Sequence, residues 1–276
     1  MSTTIAAYQL APRIGDLAGN RERLVAAVRQ AAAAGADLLV LPELATSGYV
    51  FASAAEAREL AEPVDGPTAQ LLAGVCRETG LTVVYGFPEA AGEVVFNAAA
   101  VVDGSGVLAA YRKAHLWGDE PDWSGAGDER PPVVQTAFGR LGLAVCYDLE
   151  FPEWVRLAAT DVDVLCVPTN WPASARPPGE RPIETANALV AGALNRVFVV
   201  AADRVGTERG VPWVGGSVIG GPDGYSLAIA RPGDTEQLLV ATVDLAQARD
   251  KRVGDRNDRV ADRRGELYRR AGADDR

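Results

Sequence analysis

The chain has 276 residues, and 48% of them are apolar, which is enough for a sizeable core in one large domain or two small ones. It has no run of eighteen apolar residues, so we expect no membrane span, and its first residues show no basic leader typical of a signal peptide. The net charge of −10 argues against nucleic acid as a partner.

Three widely spaced cysteines and a single histidine limit the chemistry further. They favour neither a disulfide framework nor a zinc site of the common type. We therefore expect a cytoplasmic protein, in a reducing compartment, that uses no metal or cofactor.

The first elements follow a β-α-β order. Residues 3–9 and 37–41 are predicted to be buried strands, and Asn20 and Gly35 are predicted to cap the helix between them. The short crossover implies parallel strands covered by helices. A second helix is predicted over 67–79, from a proline to a glycine.

The pattern then changes to antiparallel pairs. A strand at 81–87 is followed by a hairpin around 103–106, and strands at 133–137 and 141–146 form another pair. The remaining predicted elements are helices 152–160 and 182–194, strands 163–168 and 196–202, and antiparallel strands within 215–243. We expect one domain over 1–276, an α/β protein with two packed mixed sheets and helices outside, since one sheet of about a dozen strands is rarer.

Three isolated polar residues directly follow apolar strands: Glu43, Lys113 and Cys146. Ligands gather at strand ends in α/β sheets, so these residues are candidates for one pocket. Each also has a structural interpretation. On that interpretation, Glu43 is a helix cap or a surface acid. Lys113 is then a solvated residue at a strand end, and Cys146 a small core residue.

The flanks LPELATSGY, YRKAHLW and CYDLEFPE, together with ADRVGTERG and DRRGELY, resemble the nitrilase superfamily of carbon–nitrogen hydrolases. The resemblance extends along nearly the whole chain. It implies an α-β-β-α sandwich that carries a glutamate, a lysine and a cysteine in that chain order.

The resemblance also implies roles. Cys146 would be the nucleophile and Glu43 the general base, because a carboxylate in a dry pocket has a raised proton affinity. Lys113 and the backbone N–H of Tyr147 would hold the oxyanion. Glu120 best matches a second glutamate that positions the substrate and the lysine, with Asp119 and Glu129 as alternatives.

Cys146 is predicted to lie on a tight turn between a strand and the helix that begins at Pro152. The acids that follow it, Asp148 and Glu150, are then interpreted as capping and scaffold groups. His115 is interpreted as a packing residue close to the site, since the chain offers no context for a cysteine–histidine protease.

The residues after the cysteine favour an amidase, because Tyr147 and Asp148 stand where nitrilases typically have tryptophan and glutamate. We therefore predict a cysteine-dependent hydrolase of linear amides. Two alternatives stay open: an N-carbamoyl amide hydrolase, and a catalytically silent member that binds a metabolite or partner.

Substrate contacts are predicted from Tyr49, Phe51, Asn170 and Trp171, which lie in loops after strands. Arg176 and Arg181 are candidates for recognising a carboxylate, although solvated loop arginines are commoner.

Two further expectations concern the second half of the chain. Many relatives have an Arg-Ala-x-Glu-Asn pattern where this chain has Ala191 to Asn195, so the arginine and glutamate are missing. The family is usually homo-oligomeric, and we expect a C-terminal extension, about 245–276, to contact a partner subunit through Leu267 and Tyr268.

Overall fold

The computed structural model describes residues 2–231, 233 and 235–271. Its strands are β1 (Ser2–Gln9), β2 (Leu38–Val40), β3 (Thr82–Ala91), β4 (Val94–Asp103), β5 (Gly106–Arg112), β6 (Val133–Gln135), β7 (Arg140–Leu143), β8 (Val164–Thr169), β9 (Phe198–Asp203), β10 (Thr207–Glu208), β11 (Val211–Pro212), β12 (Val218–Gly220), β13 (Ser226–Ile229) and β14 (Gln237–Asp244). Its helices are α1 (Leu17–Ala33), α2 (Ala54–Leu60), α3 (Pro67–Thr79), α4 (Pro152–Ala159), α5 (Ile183–Asn195), α6 (Ala246–Arg249) and α7 (Gly265–Ala271).

Two six-stranded mixed sheets form the centre of the molecule, in the orders β14-β1-β2-β3-β4-β5 and β13-β12-β9-β8-β7-β6. Strands β1, β2 and β3 are parallel, as the β-α-β pattern predicted, and so are β7, β8 and β9. The predicted hairpin joins β4 and β5, and the pair around residue 139 is β6 and β7. The remaining neighbours are antiparallel.

The segment 215–243 is antiparallel as predicted, but it divides between the two sheets. Strands β12 and β13 complete the second sheet beside β9. The chain then crosses over, and β14 pairs along the whole of β1 in the first sheet. The late part of the chain therefore joins both halves of the sandwich.

Each sheet is buried on both faces, which explains why its strands read as continuous apolar runs. In β1, Ile5 and Ala7 belong to the core between the sheets, whereas Ala6 and Tyr8 face the helical layer of α1 and α3. Helices α4 and α5 cover the second sheet. The predicted α-β-β-α sandwich is thus confirmed.

The ends of α1 differ in part from the prediction. Asn20 does not cap the helix, because the Asp16 side chain accepts the Gly19 N–H at 2.9 Å and Asn20 lies one turn inside. Its buried amide instead holds the preceding loop, accepting from the Arg13 N–H at 2.8 Å and donating to the Thr46 carbonyl at 3.0 Å. Gly35 follows the helix with a φ of +75°, as a C-terminal glycine should.

The C-terminal segment carries α7, on which Leu267 and Tyr268 are 45% and 53% exposed. Their contact with a partner subunit stays a prediction, as do the single-domain boundaries. Among the helices of the described residues, none combines the length and the apolar character needed to span a bilayer. The cytoplasmic location remains a prediction.

Candidate active site

Glu43 follows β2 in a loop that packs directly on β3. Gly86 makes this close approach possible, because a Cβ there would lie 2.5 Å from the Glu43 Cα. Backbone hydrogen bonds join the loop to β3. The Gly86 N–H donates to the Pro42 carbonyl at 3.0 Å, and the Ala45 N–H donates to the Gly86 carbonyl at 2.8 Å. The Glu43 carboxylate is fully buried as a result.

Lys113 follows β5 and is also fully buried. Its ammonium contacts two carboxylates, Glu43 Oε1 at 2.8 Å and Glu120 Oε1 at 2.7 Å. The Gly127 N–H donates to the Lys113 carbonyl at 2.8 Å and so closes the loop that carries Glu120. The residues that follow β2 and β5 and the loop that carries Glu120 therefore meet at the Lys113 ammonium.

Glu120 lies at the start of a 3₁₀ turn, Glu120–Asp122, and is the loop acid that reaches the lysine. Its Oε1 accepts the Tyr49 hydroxyl at 2.6 Å, and its Oε2 accepts the Trp117 N–H at 3.0 Å. The alternatives, Asp119 and Glu129, are exposed. The geometry therefore favours Glu120 over both.

Asn97, in the middle of β4, was not singled out from the sequence. Its side-chain Nδ2 donates to Glu43 Oε1 at 2.7 Å and to Glu120 Oε1 at 3.2 Å. Its backbone carbonyl accepts the Lys113 N–H at 2.8 Å. An isolated asparagine within an apolar strand is a recognisable signal, because a buried amide requires partners.

Cys146 opens a 3₁₀ turn, Cys146–Glu150, directly before α4, which confirms the predicted tight turn. Its φ is +47°, a left-handed conformation that is uncommon outside glycine and asparagine. The sulfur lies 3.7 Å from the Asn170 carbonyl, and the Asn170 amide in turn donates to the Glu43 carbonyl at 2.8 Å. The side chain keeps 5% exposure.

Asp148 holds the cysteine turn in place, in agreement with its interpretation as a scaffold group. Its Oδ2 accepts the Val145 N–H at 3.0 Å and the Tyr111 hydroxyl at 2.7 Å. Its Oδ1 lies 2.7 Å from His115 Nδ1, and the imidazole stacks on Phe151 at 3.7 Å between centroids. His115 thus packs beside the site and is not itself in contact with the sulfur.

Burial dominates the electrostatics. It raises the pKa of Glu43 to about 7, against the opposing effect of the Lys113 ammonium. Burial and next the Glu43 carboxylate raise the pKa of the Cys146 thiol well above its ordinary value. Burial lowers the pKa of Lys113, but the carboxylates of Glu43 and Glu120 outweigh it, so that the pKa lies above its ordinary value.

These values define the resting state of the site. The cysteine is a neutral thiol and the lysine is an ammonium, while the pKa of Glu43 lies near neutrality. Within the described part of the chain, no group donates a hydrogen bond to Glu43 Oε2. One carboxylate oxygen therefore anchors on Lys113 and Asn97, while the other is free to accept a proton.

A pocket of about 170 Å³ adjoins this cluster. It is lined by Tyr49, Val50, Phe51, Trp117, Gly118, Asp119, Glu120, Trp123, Pro172, Val211 and Trp213. Tyr49 and Phe51 were predicted to contact substrate, and their position is compatible with that role, which stays a prediction. The three tryptophans come from two loops, Trp117 and Trp123 from the loop between β5 and β6 and Trp213 from the segment after β11, and the sequence contained no signal that they converge.

The other predicted substrate contacts lie deeper or farther away. Asn170 and Trp171 are buried, and the Trp171 N–H donates to Asp203 at 3.0 Å. Of these two residues, Asn170 contacts the Cys146 sulfur through its backbone carbonyl. The role of both side chains in substrate binding stays a prediction. Arg176 and Arg181 are exposed and are not among the residues that line the pocket.

A buried ion pair supports the pocket wall. Glu208 accepts two hydrogen bonds from the Arg204 guanidinium, at 2.8 and 3.0 Å. The same carboxylate accepts the backbone N–H groups of Tyr49 and Val50, at 2.8 and 2.7 Å. Arg204 also lies over the ring of Trp213, 4.6 Å from its centroid. The pair thus fixes two faces of the pocket.

The segment from Ala191 to Asn195 forms the last turns of α5. In place of the missing arginine and glutamate, the Asn195 amide donates back to the Ala191 carbonyl at 2.8 Å. The Lys251 ammonium caps the helix end, at 3.2 Å from the Asn195 carbonyl and 2.9 Å from that of Arg196. A cation at a helix C-terminus is favourable.

The sequence profile of the carbon–nitrogen hydrolase family matches residues 4–253. The chain belongs to this family. It is 36% identical to a nitrilase from Pyrococcus abyssi, over 96% of this chain and 98% of the relative. It is 32% identical to N-carbamoylputrescine amidase from Solanum lycopersicum, over 96% and 93% of the two chains.

Among solved structures, the chain is similar to a mutant of the amidase from Nesterenkonia sp. AN1, with a TM-score of 0.79 and 29% identity. The match covers 97% of this chain and 96% of that one. That structure carries the acetamide moiety of fluoroacetamide, covalently added at its active-site cysteine. The membership in the nitrilase superfamily and the prediction of a cysteine-dependent amidase are confirmed.

Proposed function

We propose that this carbon–nitrogen hydrolase converts small linear amides to carboxylic acids and ammonia through a thioester on Cys146. The observation that carries the proposal is the buried contact of Lys113 with both Glu43 and Glu120 beside a single thiol. A neutral thiol with a strongly raised pKa needs a base at the moment of attack, and Glu43 is the adjacent group with a free oxygen and a pKa near neutrality.

The first half-reaction forms the thioester. The Cys146 sulfur attacks the amide carbon while its proton passes to Glu43, and the carbonyl oxygen becomes an oxyanion. The Lys113 ammonium and the Tyr147 N–H stabilise that oxyanion. The carbon–nitrogen bond then breaks, the proton moves from Glu43 to the leaving nitrogen, and ammonia departs.

The second half-reaction is hydrolysis. Glu43 takes a proton from water, the resulting hydroxide adds to the thioester carbon, and the carbon–sulfur bond breaks. The sulfur recovers a proton from Glu43, and the carboxylic acid leaves. In sum, amide and water give acid and ammonia, and each protein group returns to its starting state. Glu120 and Asn97 act on this cycle by holding Lys113 and Glu43 in place.

The decisive experiment measures ammonia release from small aliphatic amides by the wild-type protein and by Cys146→Ala. We expect turnover by the first and none by the second. A protein that cleaves nitriles and leaves every amide untouched contradicts the proposal.

Hydrolysis of N-carbamoyl amines is the alternative, and the similarity to an N-carbamoylputrescine amidase favours keeping it. The same cysteine chemistry would apply to the carbamoyl carbon. Product analysis separates the two reactions, because only the carbamoyl substrate yields carbon dioxide together with ammonia.

A further inference from the structure

The pocket beside the cysteine has a lining of one electrical character. Five of its residues are aromatic, namely Tyr49, Phe51, Trp117, Trp123 and Trp213. Its charged lining residues, Asp119 and Glu120, are both acids. Within the described part of the chain, no lysine or arginine lines it. Aromatic faces carry negative potential and attract cations, so rings and acids act in the same direction.

The wall of this pocket contacts the reacting centre at two places. Tyr49 donates to Glu120, which contacts the Lys113 ammonium. On another side, the ring of Trp117 packs edge-on against Tyr147, the residue after the cysteine, at 4.8 Å between centroids. The pocket therefore adjoins the residues that surround Cys146.

The nearest cations behind the lining are already paired with acids. Lys113 contacts Glu43 and Glu120, which leaves Asp119 as the lining acid that forms no ion pair among the described residues. Arg204 lies over Trp213, but Glu208 binds it through two hydrogen bonds. Arg209 donates to the Val50 carbonyl at 2.7 Å and forms a bidentate pair with Glu56, at 2.6 and 2.7 Å. Neither presents an unpaired positive charge to a ligand.

One lining group is a hydrogen-bond donor and therefore attracts an acceptor or an anion. The indole N–H of Trp213 is buried and has no partner among the described residues. A single neutral donor attracts an anion less than the carboxylate of Asp119 repels it, because charged contacts are about twice as strong as neutral ones. The balance of the pocket is therefore cation-attracting.

We propose that the pocket selects amides whose far end carries a positive charge, an ammonium or guanidinium group, and discriminates against amides that end in a carboxylate. This inference rests on the proposed amide hydrolysis and adds its substrate class. The aromatic rings bind the cation and Asp119, at the exposed rim, pairs with it. The reacting amide then points inward to Cys146.

The test compares three amides of equal length that differ only at the far end: hexanamide, its analogue with a terminal ammonium in place of the methyl, and adipic acid monoamide. We expect kcat/KM to fall in the order ammonium, methyl, carboxylate. The first and last are expected to differ by at least about tenfold, the size of one cation–π contact with an added charge pair.

A matched pair of variants locates the effect. Asp119→Asn removes the rim charge, whereas Asp122→Asn removes an exposed acid of the same turn that does not line the pocket. We expect Asp119→Asn to lower the ratio of kcat/KM between the ammonium amide and hexanamide about threefold or more. Asp122→Asn should leave that ratio at the wild-type value. Equal ratios in the two variants would overturn the proposal.

Binding measurements keep this inference separate from the proposed reaction. In Cys146→Ala, quenching of tryptophan fluorescence reports ligands that enter among Trp117, Trp123 and Trp213. We expect the amide with the terminal ammonium to bind more tightly than adipic acid monoamide. If no amide is hydrolysed, the proposed function fails while this comparison still decides the charge preference. Tighter binding of adipic acid monoamide, or its turnover as fast as that of the ammonium amide, would contradict this inference.

Discussion

The Asn97 side chain donates to Glu43 Oε1 at 2.7 Å, and this bond stabilises the ionised form of the carboxylate. It acts together with the Lys113 ammonium on the same oxygen. Burial opposes both, and the pKa of Glu43 comes to rest at about 7. The pKa of the proposed base is thus a balance: burial and the Glu120 carboxylate raise it, while Lys113 and Asn97 lower it.

The first prediction concerns the pH dependence of turnover. Glu43 must be ionised to take the thiol proton, and its raised pKa means that ionisation is present above about 7 and lost below it. We expect kcat/KM for an amide to fall tenfold per pH unit on the acid side of that value. A rate that stays constant over about two pH units below it would exclude Glu43 as the base.

Replacing Asn97 should shift the acid limb of the pH profile, which is the range where kcat/KM falls as the pH is lowered. Asn97→Leu removes a donor that favours the charged carboxylate, so we expect the limb to shift upward by about one pH unit. Ser124→Ala is the control, because the Ser124 hydroxyl bonds the Asn97 backbone N–H at 2.9 Å and does not contact the carboxylates. An unchanged limb in Asn97→Leu, or the same shift in both variants, would contradict this account.

Loss of the lysine should impair both catalysis and folding. Lys113→Met removes an oxyanion donor, and such losses typically lower kcat about 100-fold or more. It also leaves two buried carboxylates without their cation, so we expect the free energy of unfolding to drop by about 3 kcal/mol.

Arg112→Met provides the comparison, since Arg112 precedes Lys113 on the chain and, from a half-exposed position, donates two hydrogen bonds to the buried Glu89. We expect it to keep its activity and to cost about 2 kcal/mol of stability, because the Glu89 carboxylate loses charged hydrogen bonds. Urea unfolding and amide turnover measure the two effects. Equal losses of turnover in the two variants would mean that Lys113 takes no part in the reaction.

The ion pair behind the pocket should matter for substrate binding. Glu208→Ala leaves the buried Arg204 without its carboxylate and the backbone N–H of Tyr49 without its acceptor, so we expect about 3 kcal/mol less stability and a raised KM. Glu56→Ala breaks a half-exposed arginine pair nearby and should cost within about 1 kcal/mol. A Glu208 variant with an unchanged KM would show that the wall needs no such support.

Alkylation should distinguish the three thiols. Cys76 and Cys166 are 1% and 0% exposed, and burial raises the pKa of both, that of Cys76 to about 12. Cys146 is next to a base and to the pocket, so iodoacetamide should label it first in the native protein. Peptide mass spectrometry identifies the labelled residue, and prior labelling of Cys166 would contradict the assignment.

Much of this site was visible in the sequence because it lies where apolar runs end. Glu43, Lys113 and Cys146 each follow a recognisable strand, and ligands gather at strand ends. The first two follow β2 and β5 of one sheet, and Cys146 follows β7 of the other. Asn97 escaped notice because it lies within a strand, where its neighbours on other strands decide its role. The tryptophans of the pocket come from two loops that are about ninety residues apart in the chain, and only the completed fold brings them together.

The error at Asn20 has a similar cause. Both Asp16 and Asn20 are suitable residues for a helix cap, and local preference does not distinguish them. The choice depends on Thr46, distant in sequence, whose carbonyl occupies the Asn20 amide. Tertiary contacts therefore fixed where the helix begins.

The left-handed backbone at Cys146 has a consequence for engineering. A residue with a side chain adopts this conformation at a cost of about 1 kcal/mol, whereas glycine adopts it freely. Glycine at position 146 would relieve this strain but would also remove the sulfur, so heat resistance alone does not report a working site. A search for a more thermostable variant must therefore measure amide turnover together with thermal stability.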